Sequence, residues 1–169
     1  LNHKPVIVLS NNDGCAIARS NEAKSLGIGM GTPYYKIREL CRKNEVKVYS
    51  SNYELYGDMS RRVVSVLGRF TNQVEVYSID ESFLGIDEQN DLLDISQKMR
   101  TAVLKWTGIP VSVGLGPTKT LAKLANKLAK KTHSGCLIVR QNDYEIISDV
   151  EIEKVWGVGR RLASRRRLV

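Results

Sequence analysis

The sequence predicts a mixed α+β fold, a sheet flanked by helices, from three observations. Short apolar runs such as Val6-Ile7-Val8-Leu9 and Cys136-Leu137-Ile138-Val139 are bounded by turn-forming residues, as strands are. Longer segments near residues 53–70, 92–106 and 119–131 carry apolar side chains at helical spacing. The two kinds of element follow one another along a chain of 169 residues, enough to bury a respectable core in one domain or slightly more.

Val6–Leu9, the turn Asn11-Asn12-Asp13-Gly14 and Cys15–Ala18 form a predicted hairpin. A helix follows, capped by Ser20 or Asn21 and stopped by Gly27. Thr32-Pro33 supplies an N-cap and first-turn proline for a short helix through Leu40, and Val46–Tyr49 is a brief strand. Ser51 and Glu54 have the spacing of a capping box, ahead of an amphipathic helix carrying Tyr56, Met59, Val63, Val66, Leu67 and Phe70. Leu92, Ile95, Met99, Val103 and Trp106 mark another helix, closed by Gly108, and Val111, Val113 and Leu115 alternate as a strand.

The stretch Val74–Ile86 places the acidic pair Asp80-Glu81 between two strand-like runs. In an unbroken strand these neighbours would point to opposite faces, so both can reach one ion only if the chain folds over at them. The stretch therefore reads as a hairpin with two hard carboxylates at its tip. That donor set suits Mg²⁺, which takes one or two carboxylates, keeps water, and completes its shell with substrate phosphates. An acidic pair in a turn is otherwise ordinary solvated surface.

Gly116-Pro117-Thr118 opens the helix that gives the pair its context. Leu121, Leu124, Ala125 and Leu128 form an apolar stripe, while Lys119, Lys123, Lys127, Lys130 and Lys131 share the other side with no acid among them. The net charge of +8 and a pI near 9.5 favour a polyanionic partner. Charge is unevenly spread. Residues 1–50 hold eight basic and four acidic side chains, 51–118 six and nine, 119–139 five and none, and 140–169 seven and five.

Beyond Arg140 a mixed-charge segment leads to Val155-Trp156-Gly157-Val158-Gly159-Arg160-Arg161. Two glycines one residue apart suit a tight turn whose backbone N–H groups can hold a DNA phosphate, and Arg160, Arg161 and the arginines at 165–167 strengthen that reading. An ordinary helix–helix turn has the same signature. Cys15, Cys41 and Cys136 are odd in number and widely spaced, so they read as reduced thiols of a cytosolic protein. His3 and His133 lack partners at ligand spacing and receive no metal role.

Five motifs in one order carry a resemblance. They are Leu9-Ser10-Asn11-Asn12-Asp13-Gly14-Cys15, Ser50-Ser51-Asn52-Tyr53-Glu54-Leu55-Tyr56, Tyr77-Ser78-Ile79-Asp80-Glu81, the run from Thr118 to Asn126, and the run from Val155 to Arg161. Together they resemble the Y-family translesion DNA polymerases, most closely the UmuC-like branch. The resemblance implies fingers over residues 1–50, most of a palm over 51–139, and the start of a helix-hairpin-helix thumb over 140–169. It matches Asp80 and Glu81 to the catalytic Mg²⁺ ligands and Lys130 to a lysine on the incoming triphosphate. Lys24 falls where many members have a triphosphate-binding arginine and Asn21 where they have a tyrosine, so the grip is less bidentate here. Ile17 falls at the roof over the nascent base pair. Lys123, Lys127, Gly157, Gly159, Arg160 and Arg161 are the expected DNA contacts.

The resemblance further implies a bacterial cytosolic protein acting in the SOS response on primer-template DNA and deoxynucleoside triphosphates, with a processed UmuD dimer and RecA as partners. It places a first palm strand, bearing another metal-binding aspartate, ahead of Leu1, and more thumb and a little finger after Val169. This chain alone is therefore expected to have little or no polymerase activity. A truncated relative that binds DNA or proteins without turnover is the alternative. A nucleotidyl cyclase would keep the acidic hairpin but leave the Gly157–Gly159 signal unexplained.

Overall fold

In the computed structural model, residues 3–87 and 91–158 are described. The chain divides into two compact units, Leu1–Tyr56 and Gly57–Val169.

The first unit is built on a three-stranded sheet of order β2-β1-β3, from β1 (Val6–Leu9), β2 (Ala16–Arg19) and β3 (Lys47–Tyr49). β1 and β2 are the expected antiparallel hairpin, whereas β3 runs parallel to β1 after two helices, α1 (Asn21–Ser25) and α2 (Tyr34–Lys43). Ile7, Leu9, Ala16, Ala23, Ile28, Ile37, Cys41 and Val46 form one buried cluster between sheet and helices. Fully burying an aliphatic side chain of the isoleucine or leucine kind is worth about 1.5–3 kcal/mol, so this cluster holds the unit together.

Local caps differ from expectation in two places. Ser20 caps α1 as expected: its Oγ accepts from the Ala23 amide at 3.2 Å and the Val6 amide at 3.1 Å, tying the helix start to β1. Thr32, however, turns its hydroxyl to the Gly29 carbonyl at 2.9 Å, leaving Pro33 at the α2 cap position without a side-chain bond, and α2 continues past Leu40 to Lys43. Ser51 likewise does not cap α3 (Tyr53–Leu67); its hydroxyl donates to the Leu9 carbonyl at 2.5 Å, and the Asn52 side chain receives the Leu55 amide at 3.0 Å instead. A tertiary acceptor close to Ser51 outcompeted the local bond that the spacing suggested.

Among its described residues the second unit holds two separate two-stranded sheets. β4 (Val74–Val76) and β5 (Ser82–Leu84) are antiparallel; β6 (Val113–Leu115) and β7 (Cys136–Ile138) are parallel and joined through α5 (Lys119–Ala129). α4 (Leu92–Thr107) is capped by Asp91, whose carboxylate accepts two amides at 3.1 Å, and ends on Gly108 with φ 74°. Met99 and Val103 of its apolar stripe are buried as expected, but Trp106 is 62% exposed, its ring stacked under Arg69 at 5.0 Å. In the last turn it meets an arginine guanidinium in place of core.

Two glycines fix α5 against β6. A Cβ at Gly114 would collide with the backbone of Asn126, and one at Gly116 would sit 2.8 Å from the Ala122 nitrogen. Helix and strand therefore meet backbone to backbone, and Asn126 adds a bond from its side-chain amide to the Ser112 carbonyl at 2.7 Å. Arg100 of α4 ties the entries to both strands, donating to the carbonyls of Val111 at 2.8 Å and Ser134. A short α6 (Tyr144–Ser148) and a 3₁₀ turn (Ile152–Lys154) complete the described chain.

Candidate functional site: an acidic turn walled by lysines

Asp80 and Glu81 lie in the turn between β4 and β5, where the strand reading required a reversal. The Glu81 carbonyl closes it, accepting the Tyr77 amide at 3.1 Å and the Ser78 amide at 3.0 Å. The Ser78 hydroxyl donates to Asp80 Oδ1 at 2.7 Å, fixing the exposed carboxylate. Glu81 is half-buried and its Oε2 lies 2.5 Å from Lys123 Nζ of α5.

The register explains why this face is charged. Glu75 stands opposite Phe83 in the ladder, and period-two alternation brings Tyr77 and Glu81 to the same side. Lys119 meets that side as well, its Nζ 2.7 Å and 2.5 Å from the two Glu75 oxygens and 5.2 Å above the Phe83 ring. The α5 lysine face, free of acids along the helix, is thus met by acids delivered from the hairpin. In this structure Lys119 and Lys123 of that face hold hairpin carboxylates. Glu75 was missed as a partner, because no spacing in the sequence links it to Lys119, 44 positions away.

Lys127, one turn further, donates to the Lys154 carbonyl at 3.1 Å. Partial burial, with Lys154 nearby, holds its pKa below the ordinary lysine value. Lys130 is the exposed C-cap of α5. Trp156, read from the sequence only as part of a glycine motif, packs on Tyr77 and Phe83 at ring-centroid distances of 5.5 and 5.7 Å. Gly157 has φ 84°, the left-handed backbone that glycine supplies at a turn. Gly159, Arg160 and Arg161 lie outside the described residues.

The remaining expected residues belong to the first unit. Asn21 and Lys24 are exposed one turn apart on α1, with Lys24 Nζ 3.2 Å from Asn21 Oδ1. Ile17 is half-buried in β2.

The acidic turn fits Mg²⁺ as an incomplete site. Asp80 and Glu81, neighbours in the chain, supply hard oxygens with access to solvent, and among the described residues no group of three His, Cys, Asp or Glu side chains could hold a metal. Such a pair suits an ion that takes water and phosphate oxygens for the rest of its shell.

Comparison with known proteins gives a consistent picture. A family model described as IMS, the impB/mucB/samB family, matches residues 1–127. Protein UmuC of Salmonella typhimurium is 48% identical over 170 residues, covering 96% of this chain and 40% of that protein. DNA polymerase IV of Picrophilus torridus is 30% identical over 168 residues, covering 96% of this chain and 48% of its own length. Among solved structures, DinB from Sulfolobus solfataricus superposes with a TM-score of 0.82 at 25% identity, covering 98% of this chain and 50% of that one. An insertion ternary complex of Dbh DNA polymerase gives 0.84 at 25% identity, again with 98% and 50% coverage. The chain thus spans about 40% of the UmuC relative and about half of these structures.

Proposed function

The chain belongs to the impB/mucB/samB family, and from that premise we propose that it is the fingers-and-palm portion of a Y-family polymerase that extends a primer across damaged DNA in the SOS response. Residues 1–50 are the fingers, 51–139 the palm, and 140–169 the start of the thumb. The observation that carries the reading is the acidic turn of β4 and β5 set against a lysine of α5. Asp80 and Glu81 hold Mg²⁺, which when bound neutralises charge on the triphosphate and favours the attacking 3′ hydroxyl.

The chain's own groups do the rest of the work by position and charge. Lys130, exposed at the end of α5, and Lys24 with Asn21, exposed on α1, bind triphosphate oxygens; Ile17 offers the base pair an apolar surface without hydrogen-bonding groups. Lys123, Lys127, Gly157, Gly159, Arg160 and Arg161 are the proposed DNA contacts. For Lys123 and Lys127 this requires exchange of the partners each now holds. The whole protein works on primer-template DNA and deoxynucleoside triphosphates in the bacterial cytosol, with a processed UmuD dimer and RecA as protein partners. No described helix is long and apolar enough to cross a membrane.

Among the described residues no third metal-ligating side chain joins these two carboxylates, and two-metal transfer needs a carboxylate bridging both ions, so little turnover is expected of this chain alone. Mg²⁺-dependent primer extension by the isolated chain would overturn that. In a full-length protein carrying this segment, Asp80→Ala should lower extension by about 10³-fold or more while DNA affinity stays within about twofold. Extension at the original rate would remove the metal assignment. DNA affinity should also fall steeply as salt rises, since lysine contacts to phosphate release counterions.

A further inference from the structure

Lys123 Nζ has more than one neighbour. It lies 2.5 Å from Glu81 Oε2, 5.3 Å from the centroid of the Tyr77 ring and 5.9 Å from that of Trp156. Its side chain is only 22% exposed. Two aromatic faces and a carboxylate therefore enclose one ammonium, and the faces favour the cation independently of the acid.

One of those faces comes from far along the chain. Trp156 follows the 3₁₀ turn, and its Nε1 is 3.4 Å from the Tyr77 hydroxyl. Its ring stands nearly perpendicular to Tyr77, at 84°, and tilted to Phe83, at 51°. Lys127 fastens the same segment two residues earlier, through the Lys154 carbonyl. The segment after α6 is thereby seated on both the hairpin and α5.

A divalent ion taking Glu81 must compete with this ammonium for the same carboxylate. How hard it competes depends on what else holds Lys123 in place. We propose that Trp156 is a positioning residue for the Glu81 carboxylate, acting through Lys123, so that seating the segment after α6 sets how readily a divalent cation displaces the ammonium. The inference rests on the proposed metal role of Glu81. It adds that the segment leading into Gly157 is coupled to the acidic turn by a cation caged between rings.

Mn²⁺ binding to the purified chain, followed by water-proton relaxation, tests this without any activity assay. Lys123→Met removes the competitor and its like charge, and should tighten Mn²⁺ about tenfold. Trp156→Ala should tighten it about threefold, Trp156→Phe should stay close to wild type, and Trp156→Ala should add nothing in the Lys123→Met background. Glu81→Gln, by contrast, should weaken Mn²⁺ about tenfold or more.

The outcomes separate cleanly. Mn²⁺ binding that is absent or indifferent to Glu81→Gln overturns the metal reading and this inference with it. Binding that needs Glu81 but ignores Trp156→Ala, weakens with it, or responds equally with and without Lys123 overturns this inference alone. The cage itself has a metal-free readout. In a Trp106→Phe background Trp156 is the sole tryptophan, and Lys123→Met should change its emission; an unchanged spectrum removes the contact on which the inference depends.

Discussion

Among the described residues two antiparallel hairpins carry acids at their tips, and they are built for different ends. In the β1–β2 hairpin, Ile7, Leu9 and Ala16 are buried at 0%, 3% and 0% exposure, so the strands themselves are core. Its tip is satisfied by neutral neighbours: Asp13 Oδ2 accepts from the Ser50 hydroxyl at 3.0 Å, and Asn12 Oδ1 accepts from the Ser10 hydroxyl at 3.1 Å. The β4–β5 strands contain no buried residue, and their acids pair with lysines 42 and 44 positions away. An acid at a hairpin tip is therefore uninformative by itself. What distinguishes the second is the lysine wall that a distant helix supplies and the Trp156 ring packed on its own aromatic residues.

That contrast can be broken most forcefully at Gly114. Gly114→Val would drive a branched side chain into the α5 backbone, which cannot swing aside as a side chain can. We expect a loss of about 4 kcal/mol or more from the second unit, read by urea unfolding. The lysine wall would go with it. A fully stable variant would show that the wall does not depend on this close approach.

The roles of the strands give the next largest effect. Ile7→Ala removes core volume and should cost about 2–5 kcal/mol, whereas Val76→Ala, at a residue 54% exposed, should cost no more than about 0.5 kcal/mol. Equal losses in urea melts would erase the distinction between a core hairpin and a surface scaffold.

The smallest effect concerns the thiols. Burial pushes Cys41 of the first unit up, and burial also pushes up Cys136 of the second, where Arg100 opposes the shift. A folded value above the unfolded one means that the stabilisation is intact below the unfolded thiol pKa and is lost as pH rises through the folded value. Unfolding measured on that alkaline limb should show less loss in Cys41→Ala and Cys136→Ala than in the parent chain. An identical slope would mean that neither thiol contributes.

Much of this was legible in the residues. Strand alternation and the reversal at Asp80-Glu81 follow from the two-residue period, and the Ser20 cap and Gly108 stop follow from the unpaired amides and carbonyls at helix ends. Less legible were choices between local and distant partners. Ser51 could cap a helix or reach Leu9, and only the presence of that carbonyl decided it. Trp106 fitted the apolar stripe of α4 yet lies in its last turn, stacked with Arg69.

What the sequence determined by itself was the kind of element at each position and the residue types available to a phosphate-handling site, because backbone period, capping and charge are local properties. Only the tertiary structure decided who neutralises whom. The pairing of Lys119 with Glu75, of Lys123 with Glu81, and the seating of Trp156 beside them join residues more than thirty positions apart. Electrostatic and aromatic contacts act over a few ångströms, and no spacing along a chain encodes which distant segments the fold will bring within that range.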